Sequence, residues 1–244
     1  MTATYTDAEA AALYDVLNPW DPAEWPGDAF YAGLIEDAES VLDVGCGTGQ
    51  ALAHARAAGH TGRLAGIDPD AAALDVARAR AEAEWVLGTA ANIPWTGEFE
   101  LAFMTGHAFQ FIPAAELDRS LRAIRAALRP GGRFAFETRH PQARAWEHWI
   151  PANEDTVTDA AGRVLRVWHD LESVTGDEVT FTGTTADPDG TVLRVERATL
   201  RFITEDALDT ALAAAGFTVE ARHGYWDGRP VDAASREIIT IARA

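Results

Sequence analysis

The chain has 244 residues, enough for one α/β domain with a modest insertion, and its 48% hydrophobic content supplies a sizeable core. A formal charge of −18, from thirty-eight acids against twenty basic residues that are all arginine, argues against a nucleic acid as partner. A single cysteine excludes an internal disulfide. No apolar run reaches the roughly eighteen residues of a membrane span, and Met1 to Asp15 lack the basic start and apolar stretch of a secretion signal, so a cytoplasmic location is expected.

In chain order, Asp7 to Leu17 has helical periodicity, and Asn18 to Gly27 is a loop rich in proline and tryptophan that leads to a helix at Asp28 to Asp37. Core strands are expected near 40–45, 63–67, 84–88, 99–104 and 132–138, alternating with helices, which implies a parallel, doubly wound sheet. Arg119, Arg122, Arg125 and Arg129 recur at helical spacing beside Leu117, Leu121, Ile124 and Leu128, the pattern of an amphipathic helix with a solvated side. The period then changes to two over Val164–Val174, Glu178–Thr185 and Thr191–Phe202, so three antiparallel strands are expected there. Helical spacing returns at Glu205 to Ala215, capped by Thr204 and stopped by Gly216, and Phe217–His223 and Arg236–Ala242 are the last two strands.

The chemistry concentrates at Val41 to Gly49, V-L-D-V-G-C-G-T-G. A short apolar strand turns into a helix through Gly45, Gly47 and Gly49, which let the backbone approach a ligand and adopt angles closed to other residues. The helix start behind them offers unpaired N–H groups. The second strand ends at Asp68, where a carboxylate can accept both hydroxyls of a ribose; its alternative role is to cap the next helix. Nicotinamide dinucleotides and S-adenosylmethionine both suit this layout. The third glycine comes one place too early for the dinucleotide fingerprint, and Asp43 would repel a pyrophosphate but attract an ammonium group.

These motifs resemble those of the class I S-adenosylmethionine-dependent methyltransferases. V-L-D-V-G-C-G-T-G is similar to the family's first motif, G-I-D-P-D at 66–70 to its second, G-T-A-A-N-I-P-W at 88–95 to its G-D-A-x-x-L-P-F, and L-R-P-G-G at 128–132 to the turn before its fifth strand. The resemblance covers roughly residues 30 to 140 and implies a Rossmann-like, seven-stranded, mostly parallel sheet with its last strand antiparallel, plus a small antiparallel β insert. The chain then divides into an N-terminal helical cap (1–39), a cofactor-binding core (40–140), a linker and β insert over the substrate opening (141–203), and a final helix and strands (204–244).

The same resemblance assigns the cofactor residues. Gly45, Cys46, Gly47 and Gly49, with Asp43, would surround the methionine part; Asp68 and Pro69 the ribose; Thr89, Ala90 and Ala91 the adenine; and Thr105 would lie next to the transferring methyl. Thr89 departs from the family's usual aspartate, and its hydroxyl accepts a hydrogen bond without charge assistance. Cys46, small and inside a tight turn, is not expected to act as a nucleophile.

For the acceptor side, ligands of such sheets bind beyond the carboxyl ends of the strands at the switch point. His107, after the fourth strand, is the candidate base, since a neutral imidazole accepts a proton from a hydroxyl or amine; its alternative role is to orient the loop. Gln110 on the same turn, Glu137 and His140 after the fifth strand, Trp226 and Tyr14 are candidate substrate contacts, with Glu137 equally able to pair with Arg139 or Arg144. The many aromatic residues of the N-terminal segment, the insert and the last loops suggest an apolar or planar substrate, or an amine held by cation–π contact. The histidines at 54, 60, 148, 169 and 223 have no spacing that gathers metal ligands, so no metal is expected.

The expected activity is in-line methyl transfer from S-adenosylmethionine to a small molecule. The alternative is a protein of the same fold that binds the cofactor without methylating, as a binding module or a non-methylating catalyst such as a cyclase.

Overall fold

The computed structural model describes residues 5–244, so the first four residues of the expected N-terminal cap lie outside the described residues. Helix α1 (Asp7–Leu17) has the expected bounds because Thr6 and Glu9 form a reciprocal capping box, with the Thr6 N–H donating to the Glu9 carboxylate at 2.7 Å. Helix α2 (Pro26–Glu36) begins two residues before the expected Asp28, since Pro26 occupies the first turn with its φ already helical.

The core then alternates as the sequence implies: β1 (Ser40–Val44), α3 (Gln50–Ala57), β2 (Arg63–Asp68), α4 (Ala71–Arg80), β3 (Glu84–Leu87), β4 (Phe99–Met104), α5 (Leu117–Ala127) and β5 (Leu128–Arg139). After the insert come α6 (Glu205–Ala214), β10 (Thr218–His223) and β11 (Glu237–Arg243). The seven-stranded sheet has the order β10-β11-β5-β4-β1-β2-β3. The β1–β2, β2–β3, β1–β4 and β4–β5 pairs are parallel, while β11 runs antiparallel to both β5 and β10. The chain lays β2 and β3 on one side of β1, then crosses to lay β4 and β5 on the other. The switch point therefore falls between the ends of β1 and β4, beyond Val44 and Met104.

Both faces of the sheet are covered. On one, Phe109, Phe134 and Phe136 stack, with ring centroids 4.1 and 4.8 Å apart, beneath Leu121 and Ile124 of α5 and Leu208 and Leu212 of α6. On the other, Tyr31 and Ile35 of α2 and Leu52 of α3 pack on Val41, Leu101 and Phe103. Each fully buried side chain of this size contributes about 1.5–3 kcal/mol of transfer free energy, so both helical layers are anchored before any polar contact is counted. The arginines of α5 lie outside: Arg122 pairs with Asp118, and Arg125 donates to the Gly216 carbonyl at 2.8 Å.

The insert carries four antiparallel strands where the sequence implies three: β6 (Asp155–Thr158), β7 (Val164–Thr175), β8 (Glu178–Ala186) and β9 (Val192–Arg201), paired in that order. The added strand is four mostly exposed residues, Asp-Thr-Val-Thr, held by register with β7 and too short to show its own period. Trp146, Phe181, Leu200 and Phe202 form a separate small core beneath the insert, and Tyr5, Leu13 and Leu165 join β7 to α1. Among the described residues no helix is long and apolar enough to cross a membrane.

Candidate active site

The three glycines after β1 all have positive φ, +80° at Gly45, +51° at Gly47 and +74° at Gly49. The N–H groups of Gly45 and Cys46 both donate to the Ile67 carbonyl, at 2.8 and 3.2 Å, which ties the turn to the end of β2. The roles of the glycines then diverge. A Cβ on Gly47 would meet no described atom within 4 Å, because that position borders open cleft. A Cβ on Gly49 would sit 2.6 Å from the Trp85 ring and 2.9 Å from Ala77, so Gly49 lets α3 pack against α4 and β3 and does not face the cleft. Cys46 packs with its sulfur against Gly66, and burial pushes its thiol far above the ordinary range, leaving it protonated and unreactive.

Asp68 closes the loop from below. Its Oδ2 accepts from Gly47 N at 2.7 Å and its Oδ1 from Asp70 N at 2.8 Å. Burial raises its pKa and those two N–H bonds oppose the rise, while each oxygen keeps a lone pair for a further donor. Asp43 differs: it is buried at the end of β1, and its Oδ1 has no hydrogen-bond partner among the described residues. Burial, and after it the charge of Asp68, holds its carboxyl well above the usual range. A buried carboxyl with an unmet acceptor, on a residue in the lining of a cleft, fits a cationic group.

Two clefts meet at this loop. One, of about 630 Å³, contains Asp68, Pro69, Thr89 and Ala90 beneath Met104 and Ile112; the other, of about 820 Å³, runs from Asp43, Cys46 and Gly47 past His107 to Glu137, Arg139 and Trp226. Tyr14, Gly45, Gly47, Thr48, Thr105 and Gly106 border both. Tyr14 is held there because its neighbour Asp15 accepts from the Thr48 hydroxyl and pairs with Arg80 of α4, which also donates to the Thr48 carbonyl at 3.0 Å. Thr89 caps the turn Ala90–Asn92, its hydroxyl accepting from Ala91 N at 3.3 Å. The Ala91 N–H is thereby engaged inside the turn, and Ala91 lines neither cleft, in contrast with the expectation that it faces a base.

Beyond β4, His107 has a left-handed backbone with φ +62°. Two contacts hold it. Its N–H donates to Glu137 Oε1 at 2.8 Å, and its Nε2 lies 3.0 Å from Glu237 Oε2. Glu137 is buried, its carboxyl raised by burial, and its other oxygen accepts from the Tyr31 hydroxyl. The alternative pairings with Arg139 and Arg144 do not form; Arg144 pairs with Glu147 instead. Glu237 is absent from the sequence-derived candidates, since it lies 130 residues from His107 in the chain. Its only advance signal was its place at the start of the last strand, directly opposite Arg139.

Two expected substrate contacts lie elsewhere. Gln110 is fully buried, its amide donating to the Arg201 carbonyl at 2.8 Å and accepting from Arg139 N at 3.1 Å, so it ties the turn after β4 to β9 and β5. His140 caps the turn at 141–143 through Nδ1, which accepts from Gln142 N at 3.1 Å. Among the described residues neither borders the clefts, whereas Trp226 does, its ring packed 5.7 Å from Tyr31 and 5.4 Å from Phe30.

The family model for methyltransferase domains matches residues 41–132, the span that holds the glycine turn, Asp68 and Thr89. The chain is 30% identical over 156 residues to a 2-phytyl-1,4-naphtoquinone methyltransferase of Trichormus variabilis, covering 57% of this chain and 67% of that protein. The chain is an S-adenosylmethionine-dependent methyltransferase.

This methyltransferase is also 28% identical over 236 residues to the dTDP-3-amino-3,6-dideoxy-alpha-D-glucopyranose N,N-dimethyltransferase of Streptomyces fradiae, covering 91% of this chain and 88% of the relative. Its fold matches the CcbJ methyltransferase of Streptomyces caelestis with a TM-score of 0.73 at 21% identity, over 98% and 99% of the two chains. The Rossmann-like fold, the cofactor and the enzymatic class expected from the sequence are all borne out.

Proposed function

We propose that this methyltransferase acts on a small-molecule amine. The observation that carries the proposal is the cleft of about 820 Å³ that opens from the glycine turn, a size suited to a metabolite. The carboxylate of Glu237 and the rings of Tyr14 and Trp226 are in its lining, and these groups favour an amine at the reacting end. The relative that covers 91% of this chain is named for N-methylation of an amino sugar, while the naphthoquinone relative covers 57% of it. A nucleic acid would meet a chain of charge −18.

The cofactor residues divide between the two clefts. Asp43 would accept from the ammonium of the methionine part, Gly45 and Gly47 would let it lie against the backbone, and Asp68 would accept from the ribose hydroxyls. Pro69, Thr89 and Ala90 border the nucleoside, and Thr105 borders the junction. S-adenosylmethionine supplies a methyl group already activated on a sulfonium, so the chain's own residues have only to align the acceptor, exclude water and take a proton. His107 takes that proton. With Nε2–H donated to Glu237, the other ring nitrogen, Nδ1, keeps its lone pair for the acceptor. Tyr14 and Trp226 flank the acceptor, and Ala143 and Ala145 bring the insert to the outer edge of the cleft.

The test is transfer from methyl-labelled S-adenosylmethionine to a panel of small amines, each paired with the alcohol of the same skeleton. Label is expected in the amines alone. Equal or greater labelling of the alcohols overturns the amine assignment.

A further inference from the structure

The acceptor cleft contains a positive charge that the surrounding protein leaves unpaired. Most of the arginines pair with a carboxylate, as in Arg63 with Glu84 and Glu98, Arg133 with Glu220, or Arg201 with Asp177. Arg139, at the end of β5 and on the wall of the cleft, forms no ion pair among the described residues. The carboxylates whose charge it feels, Glu237 and Glu137, make their hydrogen bonds elsewhere, Glu137 with Tyr31 and the His107 N–H, and Glu237 with the His107 ring.

Of its five donors one has a partner, a long contact of 3.4 Å from Nη1 to Gln110 Oε1. The remaining nitrogens are not sealed in the interior, unlike Arg201 Nη1 or Arg222 Nη2, and Arg139 is among the residues that line the cleft. The guanidinium is nevertheless fixed in place. Its own main-chain N–H donates to Gln110 Oε1 at 3.1 Å, and its head lies 5.7 Å from the Trp149 ring centroid. Its charge is felt nearby: the His169 pKa is lowered by burial and next by Arg139. Arg236, farther along the same wall, also forms no ion pair among the described residues, and its carbonyl accepts from His140 N at 2.7 Å.

We infer that Arg139 is an anion-binding residue of the acceptor cleft and that the acceptor carries a carboxylate or a phosphate group. A planar fork with free donors in a partly desolvated wall is the geometry that recognises such oxyanions in a bidentate manner. The inference rests on the small-molecule reading of the cleft and names what that molecule must carry.

The test is calorimetric titration of the protein saturated with S-adenosylhomocysteine, comparing wild type, Arg139→Gln and Arg139→Lys. The probes are inorganic pyrophosphate, benzoate and the neutral benzamide. One anion is expected to bind wild type at least tenfold more tightly than benzamide, to lose at least tenfold in Arg139→Gln, and to regain part of that in Arg139→Lys. A preference for pyrophosphate identifies phosphate, and one for benzoate identifies carboxylate. Equal anion binding by wild type and Arg139→Gln, or anions binding no better than benzamide, overturns the inference. The affinity for S-adenosylhomocysteine, measured in the same samples, is expected to be unchanged across the variants and reports their folding. Its absence in wild type would strike the methyltransferase reading itself.

Discussion

His107 and Glu237 meet at 3.0 Å across 130 residues of sequence, Nε2 against Oε2, in the lining of the acceptor cleft. In the proposed role the carboxylate accepts from Nε2–H and holds the ring, and Nδ1 is left to accept a proton. Glu237→Gln keeps the shape but permits the opposite tautomer, and His107→Ala removes the acceptor altogether. Both are expected to lower kcat by about 10²-fold or more, within the range of general-base contributions. The Kd of S-adenosylhomocysteine should stay within about twofold of wild type. Transfer rates across pH separate the base role from mere loop orientation, since an orienting residue leaves the shape of the profile unchanged.

Asp43 is expected to set a pH dependence for cofactor binding. In the free protein its pKa is raised well above the ordinary value by burial and then by Asp68. Its ionised form is therefore costly, and the free fold loses stability as pH rises through that raised value. An ammonium beside this carboxyl favours ionisation and lowers the pKa, so binding releases a proton between the bound and free values. Affinity for S-adenosylhomocysteine then climbs with pH across that window. Titration in two buffers of different ionisation heat measures the release directly. Asp43→Asn should abolish it and weaken binding, and identical heats in both buffers for wild type would contradict the assignment.

Gly47 and Gly49 give a contrast within one motif. Gly49→Ala drives a Cβ to 2.6 Å from Trp85 at a positive φ, and is expected to cost about 2–4 kcal/mol of stability. Gly47→Ala has room at its own positive φ and should cost only about 1–2 kcal/mol, but its methyl enters the cleft, and affinity for S-adenosylhomocysteine should fall tenfold or more. Urea unfolding and calorimetric titration on the two variants resolve these separate roles.

The sequence displayed what depends on local pattern. The glycine turn, Asp68 at the tip of β2, the bounds of α1 and the Thr204 cap of α6 each depend on a few adjacent residues, and the structure has them where expected. What was hidden depends on long-range pairing. Glu237 reaches His107 only because β11 runs antiparallel beside β5, in a register that sets Glu237 opposite Arg139. Gln110 reads as a polar loop residue and is instead fully buried, because its amide answers a carbonyl of β9 and an N–H of β5 that no other group reaches. Strand β6 has four residues and no alternation of its own, so only its partner defines it.

The destination of the methyl group bears most directly on the account. Methyl-labelled S-adenosylmethionine, incubated with the enzyme and a cell extract, should place label in amine-bearing small molecules, and His107→Ala should remove that label while still binding S-adenosylhomocysteine. Label that collects in the protein or nucleic-acid fraction, or a His107→Ala variant that transfers as fast as wild type, would contradict it.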